Sequence, residues 1–228
     1  PSLADVSFAA PRGSTIGVIG GTGSGKSTLV NLIPRLYDAT EGSVKVFGAD
    51  VKQYRLRELR GRIGVAPQRA ALFRGTIREN LQWGKPGATD EEITRALTVA
   101  QAADFVFASP EGLDRHIEQG GRNLSGGQRQ RLTIARALVG EPDILILDDS
   151  ASALDYATDA RLRRAIRENT RDMTVFIVSQ RVSSIRQADA ILVLDDARLA
   201  GVGTHEALMR DCAVYREIAL SQEKEAKA

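Results

Sequence analysis

Gly20-Gly21-Thr22-Gly23-Ser24-Gly25-Lys26-Ser27 satisfies every fixed position of the phosphate loop G-x-x-x-x-G-K-[ST]. Upstream, Thr15-Ile16-Gly17-Val18-Ile19 reads as a short buried strand. Downstream, Thr28-Leu29-Val30-Asn31-Leu32-Ile33 has the apolar spacing of a helix entering a core. Strand, glycine loop and helix, in that order, is the context in which the motif carries chemistry. Glycines let successive N–H groups turn inward around an anion, and the helix that follows adds its free amides and positive dipole end. Gly21, Thr22, Gly23, Ser24, Gly25, Lys26, Ser27 and Thr28 are the candidate phosphate-binding residues. Lys26 is expected to reach the β and γ phosphates and the Ser27 hydroxyl to ligate Mg²⁺, so the stretch predicts nucleotide binding.

The 228 residues suffice for one domain with an inserted subdomain, and 43% hydrophobic with 26% charged residues is ordinary for a globular chain. Lys plus Arg is 31 against 29 Asp plus Glu, a formal charge of +2, which gives no argument for a nucleic acid partner. The one cysteine, Cys212, excludes an internal disulfide and fits a reducing compartment. No apolar run approaches the ~20 residues of a membrane-spanning helix, so a role at a membrane would need another polypeptide region to cross it.

Outward from the loop, Ala4-Asp5-Val6-Ser7-Phe8 alternates like a strand, and a start so close to a strand reads as an excised domain. Thr40-Glu41-Gly42 is a turn, Ser43 to Gly48 a strand, Arg55 to Gly61 a short helix and Ile63 to Ala66 a strand ending at Pro67-Gln68. Thr76 to Trp83 and Thr89 to Phe107 read as helices, the second opened by a Thr89/Glu92 capping box and ended by Pro110 and Gly112. A further helix follows Gly126-Gly127. The last third alternates strand (Ile144 to Leu147), helix (Ala157 to Asn169), strand (Thr174 to Ser179), strand (Ala190 to Leu194), return strand (Arg198 to Val202) and two closing helices. That order implies a mainly parallel sheet in an α/β fold, with phosphate ligands at the carboxyl ends of its strands. Glu223 to Ala228 is a charged tail expected to fray.

Ile144-Leu145-Ile146-Leu147-Asp148-Asp149 is an apolar strand tipped with acid, the expected partner of a phosphate loop, with Asp148 holding Mg²⁺. Between loop and strand stands Leu124-Ser125-Gly126-Gly127-Gln128, followed by Arg129-Gln130-Arg131. Serine and two glycines at a helix start make a second anion site. The phosphate it would hold is not readily the one at Lys26, so a second molecule is implied. With this pentapeptide the chain resembles the nucleotide-binding domain of an ATP-binding cassette (ABC) transporter.

The resemblance covers nearly the whole chain. It implies a P-loop NTPase (RecA-like) α/β core over about 1–75 and 122–228, with an antiparallel β subdomain and a helical subdomain inserted at about 76–121. It implies ATP and Mg²⁺ as ligands, with the metal at Ser27, Gln68 and Asp148. Gln68 resembles the family's Q-loop glutamine, which contacts metal and attacking water and senses the transmembrane partner. Leu72 to Leu81 is similar to a segment of exporters, and Glu118-Gln119-Gly120-Gly121-Arg122 stands where exporters touch their membrane domain. Ser152-Ala153-Leu154-Asp155 resembles the D-loop. Leu124, Ser125, Gly126, Gly127, Gln128 and Asp155 would then close over a partner's ATP in a head-to-tail dimer.

Two residues depart from the family's pattern. Asp149 stands where glutamate ordinarily polarises the attacking water, and Gln180 where histidine ordinarily contacts the γ-phosphate. Aspartate is one methylene shorter, and about 1 Å of misplacement costs about 100-fold in rate. Glutamine still donates a hydrogen bond but carries no proton. With the signature pentapeptide intact, the resemblance implies one half of a heterodimeric exporter. Its own site (Lys26, Gln68, Asp149, Gln180) would turn over poorly, while its signature would complete a competent site on a partner that carries Glu and His. The domain would sit on the cytoplasmic face of a membrane beside a transmembrane exporter domain. The alternatives are a slow homodimeric exporter ATPase, a regulatory ATP-binding module, and a soluble ABC ATPase of DNA repair or translation. The aromatic on which the family stacks adenine has no match in Pro1 to Gly13, and Phe8 reads as core. His205 reads as a structural residue at a helix start.

Overall fold

The computed structural model describes residues 3–150, 152–170 and 172–225. In chain order, the first elements are β1 (Thr15–Gly20), α1 (Lys26–Leu32), β2 (Lys45–Val46), β3 (Ala49–Asp50), α2 (Leu56–Gly61), β4 (Ile63–Ala66), β5 (Gly75–Thr76), α3 (Ile77–Gln82), α4 (Asp90–Val99) and α5 (Ala103–Phe107). They are followed by β6 (His116–Ile117), α6 (Gly126–Leu138), β7 (Ile144–Asp148), α7 (Tyr156–Asn169), β8 (Thr174–Val178), α8 (Val182–Ile185), β9 (Ala190–Asp195), β10 (Arg198–Gly203), α9 (His205–Asp211) and α10 (Ala213–Glu225). Residues 1–60 with 174–228 form one compact unit and residues 61–173 another.

In the first unit the strands run in the order β10-β9-β1-β8. β1 is parallel to both neighbours, with Val18 opposite Val178 and Gly20 opposite Leu194, and β10 returns antiparallel to β9. An apolar run such as Ile16 to Ile19, flanked by strands on both sides, is what a central parallel strand requires. The register brings the carboxyl ends of β1, β8 and β9 to one edge. There the loops after Gly20 and Val178 emerge side by side. Against β1, β9 and β10 pack α8, α10 and α9 respectively, which bury Ile185, Leu208, Cys212, Tyr215 and Ala219 with Ile19, Ile191 and Val193.

In the second unit β4 and β7 are parallel, with Ala66 opposite Leu147, so Pro67-Gln68 and Asp149 leave adjacent strand tips. Buried Leu132, Ile134, Ala135 and Leu138 give α6 an apolar face, and this helix packs on β4, α3 and α4. The chain leaves at Gly75-Thr76 and returns at His116-Ile117, where β5 and β6 pair antiparallel, Gly75 opposite Ile117. The helices α3, α4 and α5 lie between those two points.

Three expectations need correction. Ala4 to Phe8 is not a strand: Asp5 has φ 54°, which breaks the extended run, and Ala4 N–H bonds the carbonyl of Ala197 at 2.8 Å. Ser43 to Gly48 is not one strand but the first half of a hairpin. Phe47 and Gly48 turn at φ 52° and 83°, the left-handed pair of a tight hairpin turn, and β3 pairs back on β2. The helix expected from Thr89 to Phe107 is two helices. Gln101 at φ 57° ends α4 in a Schellman motif, with Ala102 N–H on the Leu97 carbonyl at 2.8 Å and Gln101 N–H on Thr98 at 3.1 Å. In the charged tail, α10 continues through Glu225, while Ala226 to Ala228 lie outside the described residues, as do Pro1 and Ser2.

Candidate nucleotide site

The phosphate loop leaves β1 at Gly20, whose missing side chain is a packing requirement. A Cβ there would lie 2.1 Å from the Leu194 carbonyl oxygen and 2.6 Å from Ser24 Oγ. Gly23 and Gly25 adopt φ 82° and 95°, and a Cβ on Gly21 or Gly23 would meet nothing within 4 Å, so the loop face is open. Lys26 is buried and its Nζ donates to the carbonyls of Gly20 at 2.9 Å and Gly21 at 2.7 Å. Ser24 Oγ is buried with no hydrogen-bond partner. Ser27 and Thr28 stand in the first turn of α1, with Ser27 exposed. A folded-back ammonium, an orphaned hydroxyl and an open glycine surface fit a polyphosphate, which would supply acceptors to all three.

At the end of β8, Gln180 is exposed, and the loop around it is tightly tied. Ser179 N–H bonds the Val18 carbonyl at 3.1 Å, tying this loop to β1. Arg181 N–H bonds Ser179 Oγ at 3.0 Å.

In the second unit Asp148 closes β7 and is buried, while Asp149 follows at φ 46°. Gln68 Nε2 donates to Asp149 Oδ2 at 3.2 Å. The buried Gln130 of α6 donates to the Pro67 carbonyl at 3.2 Å and holds the Gln68 loop from below. Ser150, next to Asp149, has a buried Oγ with no hydrogen-bond partner.

The signature residues start α6. Ser125 Oγ accepts from Gln128 N–H at 3.2 Å and Gln128 Oε1 accepts from Ser125 N–H at 3.0 Å, a complete capping box. Leu124 is buried while Ser125 and Gly126 face solvent. Arg129 Nη1 donates to the Leu124 carbonyl at 2.6 Å and props the approach to the signature. A Cβ on Gly127 would lie 3.4 Å from the Ala153 carbonyl oxygen, so signature and D-loop stretch pack together within one unit. Asp155 caps α7 by accepting from Thr158 N–H at 2.9 Å, and that backbone bond holds its carboxyl below the usual carboxylate range. Arg131 crosses to the Gln101 carbonyl and lies 4.8 Å from the Phe105 ring centre, with burial lowering its pKa.

Among the described residues no cluster of three or more His, Cys, Asp or Glu side chains is arranged to hold a metal by itself. His205 is buried at the start of α9 with its Nδ1 2.8 Å from the Tyr215 hydroxyl. Phe8 meets Phe176 edge-on at 6.3 Å. Sequence reasoning missed Gln130 and Gln222, which act on site backbone through single amides that no spacing rule reveals.

Residues 3–152 match the family described as "ABC transporter". The chain belongs to the ABC transporter family. It is 48% identical over 225 residues to an uncharacterized ABC transporter ATP-binding protein of Mycobacterium tuberculosis, covering 97% of this chain and 38% of that protein. It is 42% identical over 216 residues to a putative multidrug export ATP-binding/permease protein of Bacillus subtilis, covering 95% of this chain and 37% of that one. A solved structure of a bacterial Atm1-family ABC exporter with ATP bound superposes with a TM-score of 0.93 at 38% identity, over 96% of this chain and 39% of that chain. The fold is therefore the P-loop NTPase α/β core of ABC proteins, with its antiparallel β and inserted helical parts. This ABC chain spans 38% of the length of the first relatives it matches. Among its described residues no helix is long and apolar enough to cross a membrane.

Proposed function

We propose that this chain is the ATP-binding domain of an exporter, working on the cytoplasmic face of a membrane and hydrolysing ATP poorly in its own site. The observation that carries the reading is the contrast between the two site halves. The signature is complete, capped and exposed at Ser125 and Gly126, whereas the catalytic positions hold Asp149 and Gln180.

In this reading Gly21 to Thr28 wrap the phosphates, Lys26 leaves the Gly20 and Gly21 carbonyls for the β and γ phosphates, and Ser24 gains an acceptor. Ser27, Asp148 and Gln68 would hold Mg²⁺, which supplies charge neutralisation at the phosphates. Asp149 would accept a hydrogen bond from the attacking water in an in-line displacement, and Gln180 would donate to the γ-phosphate. Asp149 is short for that work. Leu124 to Gln128 and Asp155 would close over ATP held by a second nucleotide-binding domain carrying Glu and His, and closure would drive a transmembrane exporter domain. The relatives bearing export names and the ATP-bound exporter structure support the setting.

The test is ATP hydrolysis by the assembled protein with Asp149→Glu and Gln180→His together. A rise of about 10-fold or more is expected, because the added methylene and the proton-carrying ring restore what the site lacks. A double variant as slow as the parent removes the asymmetric reading.

A further inference from the structure

Gln222, one turn from the end of α10, grips the loop that presents Gln180 with both atoms of its amide. Its Nε2 donates to the Gln180 carbonyl at 2.6 Å and its Oε1 accepts from Val182 N–H at 2.8 Å. These two backbone groups flank Arg181, so a single side chain closes a ring around the loop. An amide is suited to this, since it carries a donor and an acceptor on one planar end. Alanine offers neither, and glutamate at neutral pH offers only the acceptor.

The rest of the loop is tied elsewhere. Ser179 N–H bonds Val18 on β1, Arg181 N–H bonds Ser179 Oγ, and Ser184 N–H bonds the Arg181 carbonyl. Of these ties the Gln222 amide is the one that acts on Gln180 itself. Its place is set by the helix. Tyr215, Ala219 and Gln222 follow one another at spacings of four and three residues, which is one face of α10. Tyr215 and Ala219 are buried in the cluster with Val182, Ile185, Leu208 and Cys212, so the apolar contacts fix the rotation of α10 that aims Gln222 at the loop.

We infer that Gln222 is a positioning residue for Gln180, which makes the C-terminal helix a working part of the nucleotide site. β1 and β8 are parallel neighbours, so the Gln180 loop and the phosphate loop rise from the same edge of one sheet. A shift of α10 would move the Gln180 carbonyl and with it the side chain facing the γ-phosphate. This inference rests on the proposed contact between Gln180 and the γ-phosphate. It adds that discrimination of ATP from ADP depends on a residue of α10.

The experiment measures Mg·ATP and Mg·ADP dissociation constants of the full-length protein by calorimetry for Gln180→Ala, Gln222→Ala, Gln222→Glu and the double alanine variant. Gln180→Ala is expected to weaken ATP about 5-fold, the worth of about one hydrogen bond, and to leave ADP unchanged. Gln222→Ala should weaken ATP about 3-fold with ADP unchanged, because the donor is displaced, not removed. Gln222→Glu keeps the Val182 bond, guards against a folding failure of the alanine variant, and should show the same selective loss. In the Gln180→Ala background Gln222→Ala should add nothing. Equal losses for ATP and ADP, no loss, or additive losses in the double variant would overturn the positioning role. If Gln180→Ala leaves the ATP-to-ADP ratio untouched, the proposed γ-phosphate contact falls and this inference falls with it. If Gln180→Ala changes the ratio and neither Gln222 variant does, the positioning role alone is wrong.

Discussion

Gln68 Nε2 lies 3.2 Å from Asp149 Oδ2, so the residue after β4 and the residue after β7 are hydrogen-bonded at neighbouring strand tips. The contact fixes where the Asp149 carboxylate stands. It also makes Gln68 an orienting group for whatever acid occupies position 149. In an Asp149→Glu protein, Gln68→Ala is expected to lower kcat about 10-fold, a larger factor than any rise in the KM for Mg·ATP that loss of its proposed metal contact brings. The interaction is then being lost chiefly in the transition state. Steady-state ATPase assays over a range of ATP concentrations check this. A change in KM at constant kcat would mean that Gln68 serves only the proposed metal contact and not orientation.

Much of this site could be read in the chain before its structure, and the reasons are local. The phosphate loop is legible because its glycines are demanded by backbone geometry: Gly23 and Gly25 sit at φ 82° and 95°, and Gly20 has no room for a Cβ. The acid-tipped strand Ile144 to Asp148 is legible because a buried parallel strand tolerates little but apolar residues until its end. The end of α4 was not legible, because Gln101 takes the left-handed position that glycine usually marks. The second half of the β2–β3 hairpin was hidden for a similar reason: Phe47 occupies a turn position with φ 52°. Contacts such as Gln222 to Gln180 join residues 42 apart through a docked helix, and only packing decides them.

Tyr215 gives the first unit a pH dependence at its alkaline end. Its side chain is fully buried against α9, its hydroxyl is 2.8 Å from His205 Nδ1, and burial pushes its pKa up to about 12. The unfolded chain releases that proton near pH 10. Between about pH 10 and 12 the unfolded state therefore binds fewer protons than the folded one, and stability falls as pH rises through this window. Below pH 10 the contribution is complete. Urea unfolding at intervals across the window should show the decline in the parent and a flatter profile in Tyr215→Phe. The variant itself is expected to be less stable at neutral pH by about 1 kcal/mol, since His205 loses its hydroxyl partner. A parent profile no steeper than that of the phenylalanine variant would show that Tyr215 does not set the alkaline limit.

Ser125 has one job that the structure shows and one that is proposed, and substitution can separate them. As the cap of α6 its Oγ accepts the Gln128 N–H at 3.2 Å, and as an exposed signature residue it is proposed to meet the phosphate held by a second domain. Ser125→Ala removes both, at about 1 kcal/mol of stability for the lost cap. Ser125→Asp keeps the first job, because aspartate caps helices as well as serine does and its charge suits the positive end of α6. The same charge opposes an incoming phosphate, since like charges a few ångströms apart in a partly desolvated interface repel strongly. The aspartate variant should therefore melt within about 1 kcal/mol of the parent and yet lose ATP-dependent association of the two domains, read by light scattering or cross-linking with and without ATP. A variant that associates normally in ATP would leave the capping box as the whole explanation of Ser125. Signature and helix start would then be a structural coincidence, not a second phosphate site.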